Sequence, residues 1–209
     1  MSAVGLLAER RFAVVDVETN GLSSRRDRVL QVAVITTTGD GEVLDRWSSS
    51  VRPRFGRVGP THIHGLRAHD LKEAPTFADV APDLVRRLDG AVFTAHNAEF
   101  DWGFVARALR RAGYRAPDTT RLCTARLSRA VAREAPSHRL VDVCERHGIV
   151  ITRAHDAAAD AEATAAVLPF LFADGALETA DDLTPHLRGN GCAWPAWSSP
   201  PRWRRWLYG

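Results

Sequence analysis

Asp16 and Glu18 stand two residues apart at the end of an apolar run, Phe12-Ala13-Val14-Val15. The run reads as a buried strand, on which alternate residues share a face, so both carboxylates point the same way. Two carboxylates on one buried face repel each other, and burial would raise a pKa or cost several kcal/mol unless a divalent cation lay between them. Two later blocks carry the same residue types: Asn97-Ala98-Glu99-Phe100-Asp101 and His155-Asp156-Ala157-Ala158-Ala159-Asp160. Four carboxylates and a histidine suit metal-dependent hydrolysis of a phosphodiester. That reaction needs an activated water, a Lewis acid on the phosphate and stabilisation of the leaving 3′ oxygen, which two ions about 3.5–4 Å apart supply. Mg²⁺ takes oxygen ligands and few protein carboxylates. Asp16 is therefore expected to bridge two ions, with Glu18 and Asp160 on one and Asp101 serving the other. His155 is the candidate general base, since imidazole titrates near neutral pH.

His155 and Asp160 are five residues apart, which on a regular helix separates them by about 140°. They cannot both face a metal from mid-helix. His155 is expected on the loop before a helix, Asp160 in its first turns, and Asp156 at its N-cap.

The elements that must position these groups are legible in outline. Strands are expected at Phe12 to Val17, Val29 to Thr37 and Glu42 to Val51, the last two joined by Gly39-Asp40-Gly41, and a fourth at Ala91 to Ala95. Helices are expected from Phe77 to Leu88 and from Asn97 to about Ala112, where Gly113 stops the second. Asp118 reads as the N-cap of a helix reaching Ala132, and Ser137 as the N-cap of one ending before Gly148. The alanine-rich helix after His155 is expected to end or kink at Pro169. Strands first, then a strand alternating with helices, give an α/β fold with a mixed sheet flanked by helices. From Gly175 the composition changes: Trp194, Trp197, Trp203 and Trp206 alternate with Arg202, Arg204 and Arg205 among Gly, Pro and Ser. The partition is thus residues 1–174 as the catalytic domain and 175–209 as a Trp/Arg-rich tail that stands apart from the core.

A chain of 209 residues is long enough for one sizeable core. With 28 basic and 25 acidic residues the net charge is only +3, which permits a nucleic-acid partner without requiring one. Cys123, Cys144 and Cys192 form no CxxC pair, and no long apolar run occurs, so a cytoplasmic protein without a membrane span is expected. His62, His69, His138 and His147 offer no zinc-ligand spacing and are expected to be structural or exposed; Cys123 and Cys144 are expected in the core, on apolar helix faces.

The blocks Val15-Asp16-Val17-Glu18-Thr19-Asn20-Gly21-Leu22, His96-Asn97-Ala98-Glu99-Phe100-Asp101 and His155-x-Ala157-x-x-Asp160 resemble the three motifs of the DEDDh exonuclease family, which includes relatives of the bacterial DNA polymerase III epsilon subunit. The resemblance runs from about Arg11 to Phe172, with weaker matches at His64-Gly65-Leu66 and Ser137-His138-Arg139-Leu140. It implies a ribonuclease H-like fold, here with a five-stranded sheet, and removal of nucleotides from a 3′ end with two Mg²⁺ or Mn²⁺ ions. It assigns metal to Asp16, Glu18, Asp101 and Asp160 and water activation to His155. The terminal-nucleotide pocket would be lined by Thr19, Leu22, His64, Asn97 and Phe100.

Single-stranded DNA ends are the expected substrate, in proofreading or repair. RNA ends are the alternative within the same chemistry, and a noncatalytic nucleic-acid or polymerase-associated module is the alternative outside it. The tail is expected to dock on the domain or on a partner protein through its tryptophans, with stacking of the tryptophans on single-stranded bases and arginines on phosphate as the alternative. It contains no glutamine, so the usual glutamine-containing sliding-clamp motif is not visible.

Overall fold

The structure is a computed structural model that describes residues 6–116, 118–152 and 155–189. The tail tryptophans and arginines, and Cys192, lie outside the described residues.

Strand β1 (Phe12–Thr19) is almost wholly apolar up to Val15 and runs through the middle of the sheet. Strand β2 (Val29–Thr37) pairs antiparallel with β1, Phe12 opposite Thr37 and Glu18 opposite Gln31, and forms the expected antiparallel hairpin with β3 (Val43–Ser50). Gly39 in its turn cannot carry a side chain, because a Cβ there would lie 2.1 Å from the Leu7 carbonyl oxygen. A short helix α1 (Thr61–His64) and helix α2 (Phe77–Leu88) follow. Strand β4 (Val92–Ala95) then pairs parallel to β1 on its other side and leads into α3 (Ala98–Arg111).

Beyond α3 the structure departs from the sequence reading. Residues after Asp118 do not start a helix; Arg121–Cys123 form β5, parallel to β4, and α4 begins only at Thr124 and ends at Val131. Asp118 is instead 2.7 Å from the Arg121 guanidinium. Its cap chemistry was outweighed by a ladder partner that local sequence does not reveal. Cys123 accordingly lies on a strand, still buried. Helix α5 (Leu140–Arg146) has Arg139 at its N-cap position; Ser137 lies two residues earlier, where its hydroxyl donates to Asp142 at 2.5 Å.

Helix α6 (Ala157–Asp174) runs through Pro169 without ending there. Leu171 and Phe172 are buried beyond it, and the Phe172 ring lies 5.4 Å from that of Phe12. Burying a leucine and a phenylalanine contributes about 1.5–3 kcal/mol each, enough to offset the roughly 3 kcal/mol cost of an internal proline.

The stretch after Gly175 also differs from expectation. Helix α7 (Ala180–Leu183) buries Leu183 in the core, and β6 (Leu187–Arg188) pairs antiparallel to β5. The sheet therefore has six strands among the described residues, in the order β3-β2-β1-β4-β5-β6, rather than five. Helices α2 and α3 cover one face, and α4, α5 and α6 the other. Among the described residues no helix is long and apolar enough to cross a membrane.

Candidate active site

Alternation along β1 sends Ala13, Val15 and Val17 into the α2/α3 layer and Phe12 and Val14 into the α6 layer. By the same period Asp16 and Glu18 face α6. Asp160 sits in the first turn of that helix, and one ligand atom each from Glu18, His155 and Asp160 lie within 4.8 Å of one another. Asp101 arrives from the first turn of α3 and is only 4% exposed. The structure thus brings all five residues of the sequence-derived set to the C-terminal end of β1.

His155 lies outside α6, as the five-residue spacing requires, in a left-handed conformation with φ 64°. Its backbone N–H donates to Asp160 Oδ2 at 3.1 Å. Asp156 is the N-cap, accepting from the Ala159 N–H at 3.1 Å. Next to it, the Ala157 N–H donates to Gln31 Oε1 at 3.2 Å. Gln31 is the cross-strand partner of Glu18, so one side chain ties the start of α6 to the strand pair carrying the acids. Sequence reasoning gave Gln31 no role, although a lone amide in the apolar run Val29–Thr37 was a signal that it had a partner. His96 was missed as well. Its Nδ1 lies 3.0 Å from Thr124 Oγ1 and its Nε2 donates to the His138 carbonyl oxygen at 2.9 Å, pinning the end of β4 to α4 and to the segment before α5.

Four carboxylates in one place shift together. Burial, then the charges of Asp101, Asp160, Glu18 and Asp156, hold the Asp16 carboxyl well above its ordinary range. Burial, then Asp160 and Asp156, push Glu18 up to about 7. Burial pushes Asp101 up to about 8, against the N–H groups of Asp101 and Val17 and with the help of Glu18. Asp160 is raised by burial, moderated by the His155 N–H. None of the four has a Lys or Arg partner within 4 Å among the described residues. An oxygen-rich, uncompensated acidic set with a nearby imidazole fits a hard divalent cation.

A stability prediction follows for the metal-free chain. Folded Asp101 keeps its proton up to about pH 8, whereas an unfolded aspartate loses it near pH 4, so between these values the folded form binds more protons. Stability in chelator should therefore fall as pH rises from about 4 to 8, by on the order of a few kcal/mol. Added Mn²⁺ should restore it at pH 8. Thermal melts at pH 5 and pH 8, with and without the ion, measure this; a flat profile in chelator would contradict it.

The pocket residues implied by the motifs are placed unevenly. Leu22 is 87% exposed on the loop after β1. That loop is held by Asn20, whose side chain accepts from the Arg28 N–H at 2.7 Å and donates to the Arg57 carbonyl at 2.7 Å. Thr19 is half-buried, with its hydroxyl donating to the Gly21 carbonyl at 2.8 Å. Asn97 is exposed just before α3, and Phe100 is half-buried against Phe104. His64 is buried, and both ring nitrogens are engaged by its own loop, Nε2 with the Val58 carbonyl at 3.0 Å and Nδ1 with the Leu66 N–H at 3.1 Å.

The sequence profile of the RNase_T exonuclease family matches residues 13–168. The chain is 34% identical over 163 residues to the PolC-type DNA polymerase III of Oceanobacillus iheyensis, a match covering 78% of this chain and 11% of that protein. It is 34% identical over 160 residues to the 3′-5′ exonuclease DinG of Bacillus subtilis, covering 75% of this chain and 17% of that one. The chain thus spans only 11% to 17% of the length of these relatives. Among solved structures, the zinc-bound E. coli exonuclease I complex with single-stranded DNA superposes with a TM-score of 0.71 at 21% identity, over 81% of this chain and 42% of that one. A 3′-exonuclease that recognises the histone mRNA stem-loop superposes with a TM-score of 0.68 at 14% identity, over 92% and 96%. At these identities the likeness is one of fold, the ribonuclease H-like mixed sheet.

Proposed function

The chain belongs to the RNase_T family of exonucleases, and on that premise we propose that it is a DEDDh-type 3′-to-5′ exonuclease acting on single-stranded DNA ends, in proofreading or repair. The observation that carries this reading is the convergence of Asp16, Glu18, Asp101, His155 and Asp160 at one end of β1, from β1, α3, α6 and the loop before α6. Direction and substrate class rest on the relatives that are 34% identical, one named as a 3′-5′ exonuclease and one as a DNA polymerase.

Asp16, Glu18, Asp101 and Asp160 would hold two divalent ions, Mg²⁺ or Mn²⁺. When bound, the ions would supply Lewis acidity at the scissile phosphate and a more acidic water. Hard ions prefer oxygen ligands, which leaves the His155 imidazole free of ligand duty. It is exposed beside the acids, and we assign it the proton taken from the attacking water. Leu22, held out on a hydrogen-bonded loop, presents an apolar face for the terminal base, with Phe100 as a second contact. Thr19 and Asn97 lie beside the acids on the chain and would offer polar contacts to the terminal nucleotide. His64 shapes its loop from within rather than presenting its ring nitrogens to substrate.

Matched linear DNA, linear RNA and circular single-stranded DNA test the proposal together. Loss of linear DNA with the circle intact is expected, since only a free end is a substrate. Cleavage of the circle would contradict an exonuclease, and preference for RNA would move the substrate assignment.

A further inference from the structure

A cleft of about 950 Å³ lies away from the carboxylates, between the start of β2, the loop after β3, the N-terminus of α2 and the last turn of α3. Its walls carry five cations, Arg28, Arg52, Arg54, Lys72 and Arg111, against one carboxylate, Glu73. None of the five pairs with a carboxylate within 4 Å among the described residues; Arg28, Arg52 and Arg111 also donate to the backbone carbonyls of Arg26, Lys72 and Arg25, while Arg54 and Lys72 are exposed. At its rim the Phe55 ring is 82% exposed, with the Arg54 guanidinium 4.8 Å above it. Phe55 has a left-handed backbone, φ 65°, which an aromatic residue rarely adopts, so the loop holds this ring in solvent against its own conformational preference. A basic groove with an exposed aromatic ring is the arrangement that binds a single strand without reading its sequence, phosphates on the cations and a base on the ring.

The cleft lies in the α2/α3 layer, and two elements link it to the acids. Val29 on its wall pairs with Thr19, the residue after Glu18. Helix α3 carries Asp101 in its first turn and Arg111 in its last. Ten residues at about 1.5 Å each place the cleft roughly 15 Å along that helix, about four nucleotides of a strand that keeps the 3.4 Å spacing of stacked bases.

We propose that this cleft is an accessory subsite for the single-stranded nucleic acid that leads to the cleavage site, gripping it about four or more nucleotides from the end. The assignment rests on the reading that the carboxylate cluster cleaves a nucleic-acid strand. Charge favours a nucleic-acid strand over the chain's own C-terminal segment, whose residues 190–209 carry three arginines and no acidic side chain.

The test uses the full chain in chelator, with fluorescence anisotropy of labelled oligothymidylates of 3, 6, 12 and 18 nucleotides across a salt series. A double variant, Arg54→Ala with Lys72→Ala, removes two exposed charges, and Phe55→Gly removes the ring while relieving the left-handed backbone. Both variants should bind the 3-mer like the parent and the 18-mer about tenfold more weakly. The double variant should flatten the log-log salt slope by roughly 1.4. With Mn²⁺ in place of the chelator, hydrolysis of a p-nitrophenyl ester of thymidine 5′-monophosphate, too short to reach the cleft, should be unchanged. Parent-like affinity and slope at every length would overturn the subsite, and is also what a cleft filled by the tail would give. Cleft-dependent binding without any ester hydrolysis by the parent would support the subsite and remove the exonuclease reading, so the two proposals fail separately.

Discussion

Asp16→Asn is expected to lower the hydrolysis rate by at least about 10³-fold while leaving the chain folded. Asn keeps the shape of the side chain and removes its charge, and ligation of an ion that stabilises the transition state by several kcal/mol corresponds to about that factor. The Asp16 carboxyl is raised by burial and then by four neighbouring carboxylates, Asp101, Asp160, Glu18 and Asp156. Removing the charge relieves this, so the metal-free variant should melt higher than the parent at pH 8. A purely structural aspartate behaves in the opposite way, losing stability when its partner bonds are lost. Rate measured beside thermal melting separates the two. An active variant, or one that is inactive because it melts lower, would remove Asp16 from the role assigned to it.

His155→Ala should lower the rate by about 10² to 10⁴, the usual contribution of a positioned general base, while metal binding persists. The side chain is exposed and its fold-related bond runs from its backbone N–H to Asp160, so truncation at Cβ leaves that bond in place. Added imidazole should recover part of the lost rate by occupying the space the ring leaves. Mn²⁺ titration by calorimetry provides the second readout, with an affinity close to the parent's. A rate near the parent's would exclude His155 as the base, and lost Mn²⁺ binding would make it a ligand instead.

The convergence of the candidate residues was legible in the sequence because they are tied to strong local signals. Asp16 and Glu18 end an apolar strand, Asp101 falls in the first turn after Asn97, and the five-residue gap from His155 to Asp160 forced the histidine off the helix. The hairpin and α2 were equally visible, from a turn with two glycines and from helical periodicity. Elements that depend on distant partners were not visible. Strand β5 has three residues and exists because β4 lies beside it, while Asp118-Thr119-Thr120 ahead of it looks locally like a helix start. Pro169 reads as a stop until Phe172 is seen against Phe12. Likewise β6 is two residues long, made by its pairing with β5. His96 and Gln31 act through contacts with residues 28 and 126 positions away or more, which no local pattern encodes.

Hydrolysis of a 5′-labelled single-stranded DNA, resolved by product length, tests the central claim most directly. With Mg²⁺ or Mn²⁺ the chain should yield a ladder shortening one nucleotide at a time from the 3′ end, and chelator or Asp16→Asn should abolish it. A ladder that survives chelator, or products that appear only as internal fragments, would contradict the account.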